Sequence, residues 1–363
     1  WHLVIGLSAS VLIHFIFGWS DKLSTLITGQ TGGEDFIGMM VTVMAVLLII
    51  NNIFQGCGSG PCQRIIVHWV EPKRLSTMTS IWNTSHSIGA GIVSVICGYI
   101  IGTYGQWQLC FWIPAIIAAA GVFFMIVTLR DTPTSVGLPE IKETKTELDD
   151  NDSPEAFKAF LKKMVFKNPI IWTVATISFF VYIVRFAVLD WGPTFLMERS
   201  NPLSPEMAGG TIAIFEMAGC AGMILSGWIS DKVFKGKAQR VCLIEMVIVA
   251  VLLAILHFLP ETASPILLLI LLALTGFFLY GPQTLVGVVA FKQATKKASA
   301  TAIGLIGLMS YGSVLITGVG LGWYSDHFGW DTLFLLMAGV SVLGTILSAF
   351  LWNIKDDAYI HES

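Results

Sequence analysis

The sequence is divided into long apolar blocks that are separated by short polar segments. A helix needs about 20 predominantly apolar residues to cross roughly 30 Å of hydrocarbon. Only 12% of the residues are charged, whereas a soluble domain has about 25%. The pattern predicts an all-α membrane protein. Its ten expected spans are roughly 1–19, 37–69, 77–103, 107–129, 169–193, 206–230, 240–259, 264–291, 299–324 and 330–353.

The Lys and Arg residues collect on one side of these predicted spans. We take segment 70–76 as cytoplasmic and let the sides alternate. Of the 21 Lys and Arg residues, only Lys22 and Arg199 then fall on the opposite side, and Arg64 and Arg185 fall inside spans. Because cytoplasmic loops carry an excess of Lys and Arg, this distribution supports both the orientation and the number of spans.

Two parts of the chain repeat each other at an offset of 221 to 224 residues. Both copies have the same predicted orientation, so the repeat is parallel. The second copy has two spans, 169–193 and 206–230, without a partner in the first. We therefore expect two further helices before Trp1 in the intact protein, and twelve spans in two bundles of six. The matched positions are Gly60-Pro61 with Gly281-Pro282, Lys73-Arg74 with Lys296-Lys297, Gly98 with Gly322, Gly105 with Gly329, and Trp107 with Trp330.

The repeat and the one long polar segment predict three regions. Residues 1–129 form an N-terminal bundle with four of its six spans, residues 130–168 form a cytoplasmic linker, and residues 169–363 form a C-terminal six-helix bundle. Within the linker, Asp152-Ser153-Pro154-Glu155 offers a helix cap and a Pro suited to the first turn. A short amphipathic helix is expected from Ala156 to Phe166.

One permanent cation interrupts an apolar span. In FFVYIVRFAVLDWGPTF, residues 179–195, Arg185 lies far from either end of its span. An Arg at the centre of a span costs about 2.5–3.5 kcal/mol on insertion scales. We expect Arg185 to face a water-filled cavity and to bind an anion, either a carboxylate or a phosphate. The alternative is a structural ion pair with an acid on a neighbouring helix, such as Glu216.

Two other polar residues lie deep in predicted spans. Glu216, in IAIFEMAGCAG, is as deep as Arg185, and either lines the cavity or serves only as its ion-pair partner. His86 lies in the polar stretch of SIWNTSHSIGAG. A neutral His can take up a proton near physiological pH when an anion arrives, so we expect His86 to line the cavity, with ordinary packing as the alternative.

Three tyrosines are candidates for the same cavity. Tyr182 is one helical turn before Arg185 and shares its face. Tyr280 precedes Gly281-Pro282, and Tyr311 is in the middle of LIGLMSYGSV. Since a buried Tyr needs a partner for its hydroxyl, each either contacts the ligand or packs in the core.

Charged residues near the ends of spans are candidates for gating. Asp190 is near the outer end of the Arg185 span, where a gate and simple solvation are both open. The segment GWISDKVFKGKAQR, residues 227–240, places Asp231 beside Lys232. These charges suggest a latch between helix ends, and the alternative is an ordinary positively charged loop.

The sequence has no nucleotide-binding loop, metal-ligand cluster or nucleophile–base pair. We therefore expect no catalytic residues, no metal ion, no cofactor and no nucleic-acid partner, and the protein is not expected to be an enzyme. A membrane enzyme that acts on phosphate esters would need a nucleophile or a metal set.

Six segments along the chain resemble one family. They are FQGCGSGPCQRIIVHW, SIWNTSHSIGAG, RDTPTSVGLP, YIVRFAVLDWGPTF, GWISDKVFKGK and FFLYGPQTLVGV. Together they resemble the organophosphate:phosphate antiporter family of the major facilitator superfamily. The resemblance implies the major facilitator fold and makes Arg185 one of two phosphate-binding arginines, the other lying in the first helix of the intact protein. It also places His86, Tyr182, Glu216, Tyr280 and Tyr311 in the cavity.

This resemblance implies a monomer in the lipid bilayer of the cell inner membrane that exchanges a sugar phosphate for inorganic phosphate by alternating access. The NTSH and VLDWGP segments resemble the sugar-phosphate sensor branch of the family, and this favours a hexose 6-phosphate. The uncharged segment ATAIGLIGLMSYG lacks the acid and Lys of the hexose-phosphate carriers, so glycerol 3-phosphate stays open. Two more alternatives are a non-transporting sensor of external sugar phosphate and a carboxylate transporter.

Overall fold

The computed structural model describes residues 1–139, 154–198, 202, 205–314 and 316–354, and these residues are almost entirely helical, with no β-strand among them. The α-helices in this part of the chain are α1 His2–Phe17, α2 Ser20–Thr28, α3 Glu34–Trp69, α4 Leu75–Tyr104, α5 Leu109–Thr128, α6 Pro154–Leu161, α7 Pro169–Met197, α8 Pro205–Lys232, α9 Ala238–Phe258, α10 Pro265–Gly312, α11 Leu321–Phe328 and α12 Trp330–Phe350.

Most of these helices are long and apolar enough to cross a membrane. Eight pass that test among the described residues, and the pair α1 and α2, bent by 60°, would make a ninth. The eight coincide with eight of the predicted blocks, the bent pair covers the first block, and α4 covers the remaining one with 30 residues. The prediction of an all-α membrane protein with these spans is confirmed.

Helix α10 contains one whole candidate span, Pro265–Ala294, and the first part of another, Ala298–Phe328. These match the predicted spans 264–291 and 299–324, and the helical backbone continues between them. The segment FKQATKKASATA contains neither Gly nor Pro and is rich in Lys, Gln and Ala. These residues are good helix formers, so the backbone continues as a helix between two apolar stretches.

The described chain forms two compact units. The first contains Trp1–Ile65 and Ile88–Glu140, and the second contains Ile66–Ser87 and Ile141–Ser363. The division runs through α3 and α4. The boundaries predicted at residues 129 and 168 stay a prediction, and Arg199 and residues 140–153 of the linker, with the Asp152-Ser153 cap, lie outside the described residues.

Aromatic contacts hold α1 against α5 in the first unit. The rings of Phe17 and Phe111 are stacked with their centroids 5.1 Å apart. The indole N–H of Trp112 donates to the carbonyl oxygen of Phe15 at 3.1 Å. A buried Trp needs a partner for this N–H, so the bond fixes the position of α5 along α1.

A close crossing of α8 and α10 defines the interior of the second unit. A Cβ atom on Gly222 would lie 1.8 Å from the carbonyl oxygen of Phe277, so only Gly permits this approach. Small residues allow helices in membranes to approach closely. The same crossing brings Glu216 of α8 near Tyr280 of α10.

The start of α7 is fixed by a side-chain cap. Oδ1 of Asn168 accepts hydrogen bonds from the backbone N–H groups of Ile170 at 2.9 Å and Ile171 at 3.4 Å, and Pro169 occupies the first helical position. Helix α6 and a π-helical turn, Lys162–Phe166, precede this cap, where the sequence predicts a short helix. The cap sets the depth of Arg185, because each helical residue advances about 1.5 Å.

Candidate functional site

Four helices of the second unit bring polar side chains together inside its apolar core. The group consists of Ser87 from α4, Arg185 from α7, Glu216 from α8 and Tyr280 from α10, and we call it the arginine cluster. Arg185 is only 9% exposed and Tyr280 is completely buried. Polar groups at this depth must be hydrogen-bonded. The contacts among these four side chains therefore show how each of them is satisfied.

The carboxyl group of Glu216 accepts three hydrogen bonds. Its Oε1 accepts from the Tyr280 hydroxyl at 2.5 Å and from Nη2 of Arg185 at 3.2 Å, and its Oε2 accepts from the Ser87 hydroxyl at 2.5 Å. These interactions suit an ionised carboxylate, which only accepts. The ion pair between Arg185 and Glu216, stated above as the alternative to anion binding, is present in the structure.

This pairing uses only part of the hydrogen-bonding capacity of Arg185. A guanidinium group has five N–H donors. The Nε–H of Arg185 donates to the Tyr280 hydroxyl oxygen at 3.1 Å and Nη2 donates to Glu216, whereas Nη1 makes no hydrogen bond to a described residue. Three N–H groups therefore remain for a further anion.

Aromatic rings surround the same guanidinium. Its Cζ atom lies 5.8, 5.4 and 5.1 Å from the ring centroids of Tyr182, Phe186 and Tyr280. Such contacts are each worth about 0.5–2 kcal/mol. The ring of Tyr311 stands edge-on to Tyr182 at 5.8 Å and is 64% exposed. The structure thus brings Tyr182, Tyr280 and Tyr311 to the side of the unit where Arg185 lies.

His86 adjoins the arginine cluster through its neighbour in sequence. Its side chain is exposed. Its Nδ1 is hydrogen-bonded to the carbonyl oxygen of Asn83, and its Nε2 lies 3.4 Å from the hydroxyl of Ser87. His86 is therefore one residue away from the hydroxyl that bonds Glu216, and its ring is open to a ligand.

The three residues considered for gating are placed differently. Oδ2 of Asp231, at the end of α8, accepts from the backbone N–H of Thr77 at 2.7 Å and from its hydroxyl at 2.6 Å. Negative charge is favourable at a helix N-terminus, so Asp231 connects α8 to the first turn of α4. Asp190 and Lys232 are both exposed and make no hydrogen bond to a described residue.

Sequence reasoning missed two members of these contacts. Ser87 was not singled out from the polar stretch SIWNTSHSIGAG, and its position one residue after His86 was the available signal. Thr77 gave no signal, because it stands among several Ser and Thr residues in LSTMTS. A third omission is Glu245, an acid within the apolar run CLIEMVIVA, which the same depth criterion used for Glu216 would have found.

Comparison with known proteins identifies a family over most of the chain. The model of the Major Facilitator Superfamily matches residues 3–316. The chain is 37% identical over 327 residues to the glycerol-3-phosphate transporter of Bacillus subtilis (strain 168), covering 86% of this chain and 71% of that protein. It is 31% identical over 384 residues to a probable hexose phosphate transport protein of Chlamydia pneumoniae, covering 97% and 83% respectively.

A solved structure supports the fold independently. The proton:xylose symporter XylE superimposes with a TM-score of 0.71 over 99% of this chain and 83% of XylE, at 16% sequence identity. At that identity the likeness concerns the fold alone. The predicted major facilitator fold is confirmed.

Proposed function

Because the chain belongs to the organophosphate:phosphate antiporter family of the major facilitator superfamily, we propose that it exchanges a sugar phosphate for inorganic phosphate. It is a multi-pass protein of the cell inner membrane, and its relatives are transporters and a membrane sensor rather than enzymes. As the organic substrate we propose a hexose 6-phosphate, with glycerol 3-phosphate as the alternative, since the relatives include both a probable hexose phosphate transport protein and a glycerol-3-phosphate transporter.

The observation that carries this proposal is the unused hydrogen-bonding capacity of the buried Arg185. A phosphoryl group accepts from Nη1 and Nη2 side by side, which is the strongest arrangement available to an Arg. The hydroxyls of Ser87 and Tyr280, which donate to Glu216 in the described state, turn to the phosphoryl oxygens. His86, Tyr182 and Tyr311 then lie near the rest of the ligand.

Exchange follows from what Glu216 does when no ligand is bound. Its carboxylate ties α4, α7, α8 and α10 together through three hydrogen bonds. A phosphate that takes over these donors frees α8 from the other three helices. The empty protein therefore changes conformation slowly and the loaded protein changes it quickly.

Counterflow in proteoliposomes made from the intact protein tests the proposal. Vesicles loaded with phosphate are expected to take up labelled sugar phosphate, and Arg185→Lys is expected to slow this uptake by at least about 30-fold, because truncating a buried charge pair costs 2–5 kcal/mol and Lys cannot form the paired contact. Arg240→Lys is the matched control, since Arg240 donates to the carbonyl oxygen of Trp352 at 3.2 Å on another part of the unit. Unchanged uptake by Arg185→Lys would refute the role of Arg185.

A non-transporting sensor is the second candidate, favoured by the NTSH and VLDWGP segments. The same vesicles separate the two functions. A sensor binds labelled sugar phosphate in a manner that depends on Arg185, but it shows no counterflow from phosphate-loaded vesicles.

A further inference from the structure

A second acid lies in the interior of the second unit, away from the arginine cluster. Glu245 of α9 is 6% exposed. Its Oε1 lies 2.5 Å from the hydroxyl oxygen of Ser226 in α8, and its Oε2 is buried with no hydrogen-bond partner among the described residues. No described cation lies within ion-pair distance of it. An isolated carboxylate in such surroundings is very costly.

The number of hydrogen atoms available for the hydrogen bonds of Ser226 shows whether the carboxyl group of Glu245 is protonated or ionised. A hydroxyl has one hydrogen to donate. The Ser226 oxygen is 2.7 Å from the carbonyl oxygen of Gly222 and 2.5 Å from Oε1 of Glu245. The carbonyl only accepts, so the Ser226 hydrogen goes to Gly222. The hydrogen between Ser226 and Glu245 then comes from the carboxyl group, which is protonated and donates to Ser226.

The carboxyl group also touches helix α10 directly. A Cβ atom on Gly281 would lie 2.0 Å from Oε2 of Glu245. The residue before Gly281 is Tyr280 of the arginine cluster, and the residue after it is Pro282, which has no N–H and interrupts the helical hydrogen bonding. A change in the protonation of Glu245 thus acts on α10 where its hydrogen bonding is interrupted by Pro282, next to Tyr280.

Two other titratable residues lie close to Glu245 in the described part of the chain. The titratable neighbours are Cys242, one turn earlier on α9, and Tyr280 on α10. Helix α8 contributes the neutral Ser226, and α12, which packs on α9, contributes the Ser341 hydroxyl that donates to the carbonyl oxygen of Met246. The described contacts of the Glu245 carboxyl group are therefore with neutral groups on α8 and α10.

We propose that Glu245 is a proton-binding site of the transport cycle, protonated in the described packing of α8, α9 and α10 and deprotonated when these helices separate. The proposal rests on the transport function proposed above. In the step, the O–H bond of the carboxyl group breaks, the proton passes to a water molecule that enters between the helices, and the carboxylate keeps the electron pair. The helices close again when a proton returns to the carboxylate.

The test is the pH dependence of labelled-phosphate exchange in vesicles with equal phosphate and equal pH on both sides. Phosphate itself titrates, so the readout is the exchange rate of Glu245→Gln divided by that of the wild type. Gln is a neutral substitute for the protonated acid. Between about pH 6 and pH 9, where buried Glu residues titrate, this ratio is expected to change by up to about tenfold per pH unit, the limit for one linked proton.

Glu198→Gln is the matched control. Glu198 accepts from the indole N–H of Trp330 at 2.6 Å at the exposed end of α7, and its rate ratio is expected to stay constant with pH. A constant ratio for Glu245→Gln as well, whatever its value, overturns the proton site. Absence of exchange in the wild type refutes the proposed transport function instead.

Infrared difference spectroscopy of the same variants covers the case in which Glu245→Gln is inactive. The wild type is expected to show the C=O stretching band of a protonated carboxyl, to lose it as the pH rises or phosphate is added, and to lack it in Glu245→Gln. If this band is missing in the wild type, or is present but unchanged by pH and phosphate, the proposal is wrong.

Discussion

The hydroxyl of Tyr280 makes two hydrogen bonds within the arginine cluster. It accepts from the Nε–H of Arg185 at 3.1 Å and donates to Oε1 of Glu216 at 2.5 Å. The ring is held in place by Phe215, whose centroid is 5.6 Å away, and by Gly219, where a Cβ would lie 2.7 Å from the ring. One fixed hydroxyl therefore sets the distance between the cation and the acid.

Tyr280→Phe removes this hydroxyl and keeps the ring. We expect the phosphate concentration for half-maximal exchange to rise by roughly tenfold or more, because a hydrogen bond to a charged group contributes about 1.5–3 kcal/mol. The measurement is labelled-phosphate exchange over a range of phosphate concentrations. Tyr324→Phe deletes a hydroxyl in α11, outside the cluster, and serves as the control. Equal half-maximal concentrations for both variants would show that the Tyr280 hydroxyl is not used.

For single residues, the sequence predicts which side chains are energetically costly inside a span more reliably than it predicts which side chains are in contact. Arg185 and Glu216 were found because a charge deep in a span is costly wherever it points. Their pairing was open, since depth along two helices does not tell how the helices are rotated. Ser87 was missed for the same reason, because a hydroxyl in a span costs little and becomes informative only when its partner is known.

Helix α8 carries both a member of the arginine cluster and, at its end, the contact with the first turn of α4. Its middle carries Glu216 and the close approach of Gly222 to Phe277, and its end carries Asp231, which bonds the first turn of α4. Beside this contact, the hydroxyls of Ser76 and Ser230 lie 3.1 Å apart and both residues are completely buried. Movement of α8 therefore has to break the bond at Asp231 and expose Ser76.

Asp231→Ala is expected to loosen this end of α8. The loss resembles the removal of a helix cap, which costs about 0.5–2 kcal/mol. In a protein with Ser76→Cys as a reporter, the rate of labelling by a maleimide is expected to rise several-fold in Asp231→Ala. Lys237→Gln, at an exposed position at the start of α9, should leave labelling unchanged. Equal labelling with and without Asp231 would argue against a gating role.

Most of the helices could be predicted from the sequence. Apolar length marks a span well, because the bilayer sets the required number of residues. Basic residues mark sidedness but not a break in the helix. At residues 292–298, between two predicted spans, the helix propensity of Lys, Gln and Ala lets α10 continue.

For the molecule as a whole, the parallel repeat and the one-sided distribution of Lys and Arg predict two parallel bundles of membrane-spanning helices, and the family resemblance implies the major facilitator fold. These features are global, so a wrong contact in one place does not disturb them. Ligand identity is set by a few atoms around Arg185, and a single sequence does not place them. The choice among organophosphates therefore requires competition between ligands.

In such a competition we expect phosphorylated ligands to inhibit better than dicarboxylates, because Glu216 already supplies a carboxylate to Arg185. A dicarboxylate offers the cluster the same planar group and gains little, whereas a phosphoryl group has a third oxygen for the hydroxyls of Ser87 and Tyr280. Unlabelled phosphate and glucose 6-phosphate are expected to inhibit labelled-phosphate exchange in the intact protein, and succinate at the same concentration is not. Stronger inhibition by glycerol 3-phosphate than by glucose 6-phosphate would change the assignment to the three-carbon substrate, and inhibition by succinate equal to that by phosphate would make the protein a carboxylate transporter.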